Sequence, residues 1–151
     1  MGIYDSVTGL LYSQSALREW ITHEINRSIR YRSPFTLVKF EVKEFQGIDH
    51  ATRKKALLAV AKVLKDNTRS TDICGRHGRT RLYILMTGTG TGDARATVER
   101  LASKIGELRF LRTNQQDYFS LSCEISMAEY TEGIKDADQI FAAIEESTEK
   151  K

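Results

Sequence analysis

Proline is almost missing from this 151-residue chain, which has one, Pro34, and cysteine is scarce, with only Cys74 and Cys123. Without a Pro/Ser-rich stretch nothing reads as an internal linker, so residues 1–151 are expected to form a single domain of ordinary size. The two cysteines stand far apart, with no C-x-x-C spacing and no paired histidines, so neither a disulfide framework nor a zinc site is expected. Both read as small buried apolar residues. No apolar run approaches the roughly 20 residues of a membrane helix, and no basic-then-apolar leader pattern opens the chain. A cytoplasmic protein that does not itself insert into a membrane is the expectation. One-sided charge is lacking too: Lys and Arg number 23 against 20 Asp and Glu, a net +3 that calls for no nucleic-acid partner. No cofactor or metal set is signalled.

Hydrophobic residues at 40% and charged residues at 28% suit a soluble core. Leu17, Ile21, Ile25 and Ile29 recur at helical spacing between Ser15 and Ile29, with Ser13 or Ser15 placed to cap. Phe35 to Val42, just after Pro34, is rich in β-formers and predicts a strand. Helical spacing returns from Thr52 to Asn67 through Ala56, Leu57, Val60, Ala61 and Leu64. Ile73 to His77 and Arg79 to Met86 flank Gly78, the residue best able to take positive φ in a tight hairpin. Asp93 is placed to cap a helix carrying Val98, Leu101, Ile105 and Leu108. Phe119 to Met127 reads as a strand and Asp138 to about Glu149 as a closing helix. The order helix, strand, helix, strand, strand, helix, strand, helix gives an α/β (α+β) sandwich with a mixed sheet.

Arg76, Arg79 and Arg81 crowd the hairpin and Arg53, Lys54 and Lys55 crowd a helix, so local anion binding competes with plain solvation. Gly88, Gly90 and Gly92 ahead of Asp93 resemble a phosphate loop, but no Lys-Ser/Thr follows, and an acidic cap repels phosphate. His23, His50 and His77 lack partners for a triad or metal set. Trp20 lies beside the first helix's apolar stripe, where core or interface packing explains it.

Several landmarks together resemble the GGDEF family of diguanylate cyclases. Asp5-Ser-Val-Thr-Gly-Leu10 is similar to its opening D-x-L-T-G-L turn. Phe35 to Ile48 is similar to the first strand and metal-binding turn, L-L-x-x-D-x-D-x-F-K-x-I. Arg69-Ser-Thr-Asp72 followed by Arg76-His77-Gly78 resembles the approach to the signature hairpin. The resemblance implies a nucleotidyl-cyclase-like fold, a central mixed sheet of about five strands flanked by helices, taken from a longer protein with an N-terminal sensory or membrane region.

Departures from the pattern fall on the active-site positions Glu41, Lys43, Asp49, Arg79, Thr80 and Arg81. Glu41 stands for the family's metal-binding Asp, a change that Mg²⁺ ligation tolerates. Thr80 stands where the signature supplies a second acid, which a two-metal phosphoryl-type transfer needs. Arg79 replaces the second glycine, Gln46 replaces a lysine, and Asp49-His50 occupy the guanine-reading Asn-Asp position. The closing helix lacks the terminal A-L-Y-x-A-K. These departures lead to the expectation of no diguanylate cyclase activity and no bound metal.

Arg69-x-x-Asp72 has the family's spacing for an inhibitory site that binds cyclic di-GMP, and Arg100 falls where the family often has that site's second arginine. A guanidinium fork pairs with guanine O6 and N7 or with phosphate, and a carboxylate accepts from guanine N1–H and N2–H. The resemblance therefore implies a cyclic di-GMP receptor acting on a protein partner of a signalling or secretion complex, in exopolysaccharide or motility control. The other readings are a ligand-free interaction or dimerisation module, an enzyme of altered chemistry, and an acidic-partner or nucleic-acid binder using the basic hairpin. As a short motif, R-x-x-D also reads as a turn closed by a surface ion pair.

Overall fold

A computed structural model describes residues 3–43, 48–78, 80–112 and 117–149. Gln46 and Arg79 lie outside the described residues. The elements run α1 (Gln14–Tyr31), β1 (Phe35–Val42), α2 (His50–Asp66), β2 (Ile73–Arg76), β3 (Arg81–Thr87), α3 (Thr91–Glu107), β4 (Phe110–Arg112), β5 (Asp117–Phe119), β6 (Cys123–Glu129) and α4 (Ala137–Glu149).

The helix starts follow from local chemistry. Ser13 caps α1 by accepting from Ala16 N, and Asp49 caps α2 by accepting from Thr52 N. Arg32 ends α1 in the left-handed region at φ 54°, and Pro34 bars continuation. The buried stripe of α1 is Leu17, Ile21, Glu24, Ile25 and Ser28. Ile29, expected on that stripe, is 51% exposed. A run of four-residue steps drifts off a 3.6-residue period, so the core side passes to position 28.

The sheet has the order β2-β3-β1-β6, and its paired strands are antiparallel. The mixed sheet of about five strands expected from sequence is a four-stranded antiparallel one, with an isolated parallel bridge from Tyr12 to Gly75 at its β2 edge. There Tyr12 N donates to Cys74 O at 2.9 Å and Arg76 N to Tyr12 O at 3.0 Å. The expected Phe119–Met127 strand is two: Phe119 closes the separate β4-β5 hairpin, and β6 begins at Cys123. Leu121 between them is buried.

Central strand β1 is covered on both faces, so it reads as a continuous apolar run. Val38, Phe40 and Val42 join Leu82, Ile84 and Met86 in one core with α2 and α3. Phe35 and Leu37 join Tyr83 and Leu85 in the other, with α1 and α4. Cys74 is buried and Cys123 half-buried, both free thiols.

Helix α3 corrects one expected cap. Its N-cap is Gly90, which has no side chain to offer. Glu129, at the end of β6, accepts from Thr91 N and Thr91 Oγ1, both at 2.7 Å. Asp93 sits in the first turn, where its charge favours the positive helix end.

Candidate ligand cleft

At the end of α2, Asn67 Nδ2 and Thr68 Oγ1 donate to Val63 O and Leu64 O at 2.8 Å each. These side chains take two of the helix's last four carbonyls, and the chain turns at once into Arg69–Asp72. Asp72 N closes the turn on Arg69 O at 3.0 Å, while Asp72 Oδ2 accepts from Arg69 N at 3.0 Å. The Asp72 side chain is 1% exposed and that of Arg69 is 55% exposed. Arg69 lays its fork on the recessed carboxylate, Nη2 to Oδ1 at 3.0 Å and Nε to Oδ2 at 3.4 Å. Nη2 also donates to Thr87 O at 3.1 Å and Thr89 Oγ1 at 2.7 Å. The guanidinium is thus fixed to the end of β3 with its outer side in solvent.

Opposite stands α3, whose Asp93, Thr97, Arg100 and Lys104 share one face at helical spacing. Arg100 Nη2 reaches Asn67 O at 3.3 Å. Between these walls lies an open cleft of about 810 Å³ bordered by Arg69, Asp72 and Arg100 together. The structure brings all three motif residues to one place. Thr89 and Lys104 also border it. Lys104 lies one turn beyond Arg100, a signal helical periodicity carries; Thr89 is joined to Arg69 by tertiary folding alone.

The signature-hairpin positions form a different environment. Glu41 and Arg81 are cross-strand partners, and Arg81 Nε donates to Glu41 Oε1 at 3.1 Å while Thr80 Oγ1 donates to Glu41 Oε2. Burial pushes the Glu41 carboxyl up, but the bonds from Thr80 and Arg81 and the charges of Arg81 and Lys39 outweigh it and hold it below its ordinary value. Both oxygens are occupied and a cation lies alongside, so this donor set does not fit Mg²⁺. Among the described residues no acidic, His or Cys group of three could hold a metal. Lys43 is 3.9 Å from Glu124. Asp49 is committed to the α2 cap, accepting from Thr52 Oγ1 at 2.6 Å, and that bond leads the lowering of its pKa.

The basic hairpin is largely neutralised. Arg76 Nη1 donates to Asp5 Oδ1 at 2.8 Å, with side-chain exposures of 16% and 10%, and Arg81 is held by Glu41. Asp5 Oδ2 accepts from Thr8 N and Oγ1 at 3.0 and 2.9 Å. The Asp5–Leu10 turn is therefore pinned to the base of the hairpin, a link between distant segments that sequence reading missed.

The diguanylate cyclase, GGDEF domain model matches residues 2–151. The chain belongs to the GGDEF family. It is 24% identical over 147 residues to the Escherichia coli K12 protein named "Probable diguanylate cyclase DgcC", covering 91% of this chain and 39% of that relative's length. Its fold matches the GGDEF domain of DgcB from Caulobacter crescentus in complex with c-di-GMP: TM-score 0.89, 13% identity, 99% of this chain and 90% of that one covered. A match at TM-score 0.89 and 23% identity is diguanylate cyclase SiaD in complex with its activator SiaC from Pseudomonas aeruginosa, covering 99% of this chain and 57% of that one.

These matches correct the expectation that this GGDEF domain is no enzyme. That expectation rested on Thr80 and Arg79 in the signature loop, yet the relative matched across 91% of the chain carries the name of a cyclase, as does the family. The Glu41–Thr80–Arg81 contacts describe how one carboxylate is engaged, and Arg79 lies outside the described residues. They do not remove the chain from a family of enzymes. Among the described residues, no helix is long and apolar enough to cross a membrane.

Proposed function

We propose that this GGDEF domain binds cyclic di-GMP in the cleft between the Arg69–Asp72 turn and α3, and that occupancy is passed to a protein partner. The observation that carries the reading is the convergence of Arg69, Asp72 and Arg100 on one cleft of about 810 Å³. Asp72, recessed and paired, holds the Arg69 guanidinium through Nε and Nη2, which leaves Nη1 to meet guanine O6 or N7. Arg100 and Lys104 meet the phosphates. The c-di-GMP complex of the DgcB GGDEF domain and the protein complex of SiaD support ligand and partner respectively.

Calorimetric titration of the domain with cyclic di-GMP tests this. Saturable heat is expected, weakened roughly 10- to 100-fold in Arg69→Ala, in line with about 1.5–3 kcal/mol for a charge-assisted hydrogen bond. Asp72→Ala is expected to weaken it similarly by freeing Arg69. No heat at high ligand concentration sinks the proposal and leaves the ligand-free interaction module. A parallel assay with GTP and Mg²⁺ distinguishes ligand bound from product made.

A further inference from the structure

Four rings on and beside α1 form a row that starts at the antiparallel bridge pairing Tyr4 with Tyr12. Tyr4 stacks on Tyr12 with centroids 5.2 Å apart and planes 20° from parallel. Tyr12 lies 6.0 Å from Trp20, and Trp20 6.1 Å from His23, edge to face. Tyr4 is 53% and Trp20 39% exposed, large aromatic area left in water without an internal use. The rings border an open slot of about 480 Å³ together with Ile3 and Glu19. Ala16, Glu19, Trp20 and His23 of α1 all line the slot, which puts the Glu19 carboxylate at its rim. Glu19 has no hydrogen bond or ion pair among the described residues, although α1 carries three arginines.

Ring faces carry negative potential, and a carboxylate at their rim adds a full charge. Such a slot selects a cation over an anion or neutral group. Flat walls favour the guanidinium over ammonium, because it is planar, weakly hydrated, stacks on rings, and can donate two parallel hydrogen bonds to one carboxylate. We infer that the Tyr4–Tyr12–Trp20 slot, with Glu19 at its rim, is a docking site for an arginine side chain presented by a partner protein. The site lies on α1 and the opening turn, with no residue in common with the α2–α3 cleft, so it stands or falls apart from cyclic di-GMP binding.

Trp20 is the chain's single tryptophan, so its fluorescence reports the slot directly. Titration with N-acetyl-arginine amide, the matching citrulline amide, and tetramethylammonium tests the inference. A saturable change with the arginine probe and none with citrulline is expected. Glu19→Gln and Tyr4→Ala, both surface changes, should each weaken it about three- to tenfold, the scale of one cation–π or exposed charge contact, with the far-ultraviolet spectrum unchanged. Equal responses to arginine and citrulline, no saturable response to arginine, indifference to both substitutions, or a stronger response to tetramethylammonium would overturn it.

Discussion

Among single residues, Asp5 does the most with the least sequence signal. Its carboxylate closes its own turn through Thr8 and reaches across the fold to Arg76. Burial raises its pKa, but bonds from Arg76 and Thr8 outweigh burial and set it below the ordinary 3.8. A depressed folded-state pKa means the unfolded chain binds the proton more readily. The stability Asp5 contributes is therefore fully present above 3.8 and is lost as pH falls through the lower folded value. Asp5→Asn should cost about 1–3 kcal/mol near pH 7, since it weakens a buried charge-assisted bond. Urea titrations of the two proteins should show that gap closing below about pH 4; a gap constant with pH would show that the charge is not what matters. The Arg69–Asp72 pair was legible because its members stand three positions apart. Asp5 and Arg76 are 71 apart, one read as the start of the opening turn and the other as part of the basic cluster of the hairpin.

At the scale of elements, the helices were readable because their signals are local. Ser13 lies next to the turn it caps, and the apolar stripes follow the helical period, whereas Asp49, read from the family pattern as an active-site position, is the cap of α2. What failed needed a distant partner. Asp93 matches the pattern of an N-cap, but the cap of α3 comes from Glu129, 38 residues from Thr91. Phe119 to Met127 matches the pattern of one strand, but Leu121 turns into the core and divides it. Glu129 also touches the Gly90 position, where an added Cβ would stand 3.3 Å from its Oε1, so the β6 end and the α3 start are fitted together. Bonds from Thr91 N and Oγ1 lower the Glu129 pKa. Glu129→Ala should destabilise the domain by about 0.5–1 kcal/mol, the lower part of the range for N-cap loss because the carboxylate is exposed. Thermal unfolding reads this as a fall of a few degrees for a domain of this size. Asp93→Ala should cost less, and the reverse order would refute the assignment of the cap.

Across the whole molecule, the two sheet faces are built differently. Where α2 and α3 pack, the buried residues of β1 and β3 are apolar except Thr36, whose hydroxyl donates to Thr89 O at 2.8 Å. Where α1 and α4 pack, the alternation Phe35, Leu37 brings Lys39 inside, 2% exposed, between the register partners Tyr83 and Ser126. Its ammonium reaches Glu145 of α4 at 2.9 Å, whose own side chain is 47% exposed. Burial first, then the Glu145 charge, pushes the Tyr83 hydroxyl up to about 12. From sequence, Phe35 to Val42 read as a strand with nothing to single out Lys39; burial of both faces of β1 makes it a core lysine. Leaving a buried cation unpaired costs more than removing the pair in favour of apolar contact. Glu145→Ala should therefore destabilise by about 1–3 kcal/mol, kept below the fully buried range by solvent at the α4 surface. Lys39→Met, nearly matched in volume, should cost under about 1 kcal/mol or even stabilise. With Lys39→Met in place, Glu145→Ala should add almost nothing, because the charge it left stranded is gone. Urea unfolding of the four proteins measures the coupling, and additive losses would mean that Lys39 and Glu145 act independently.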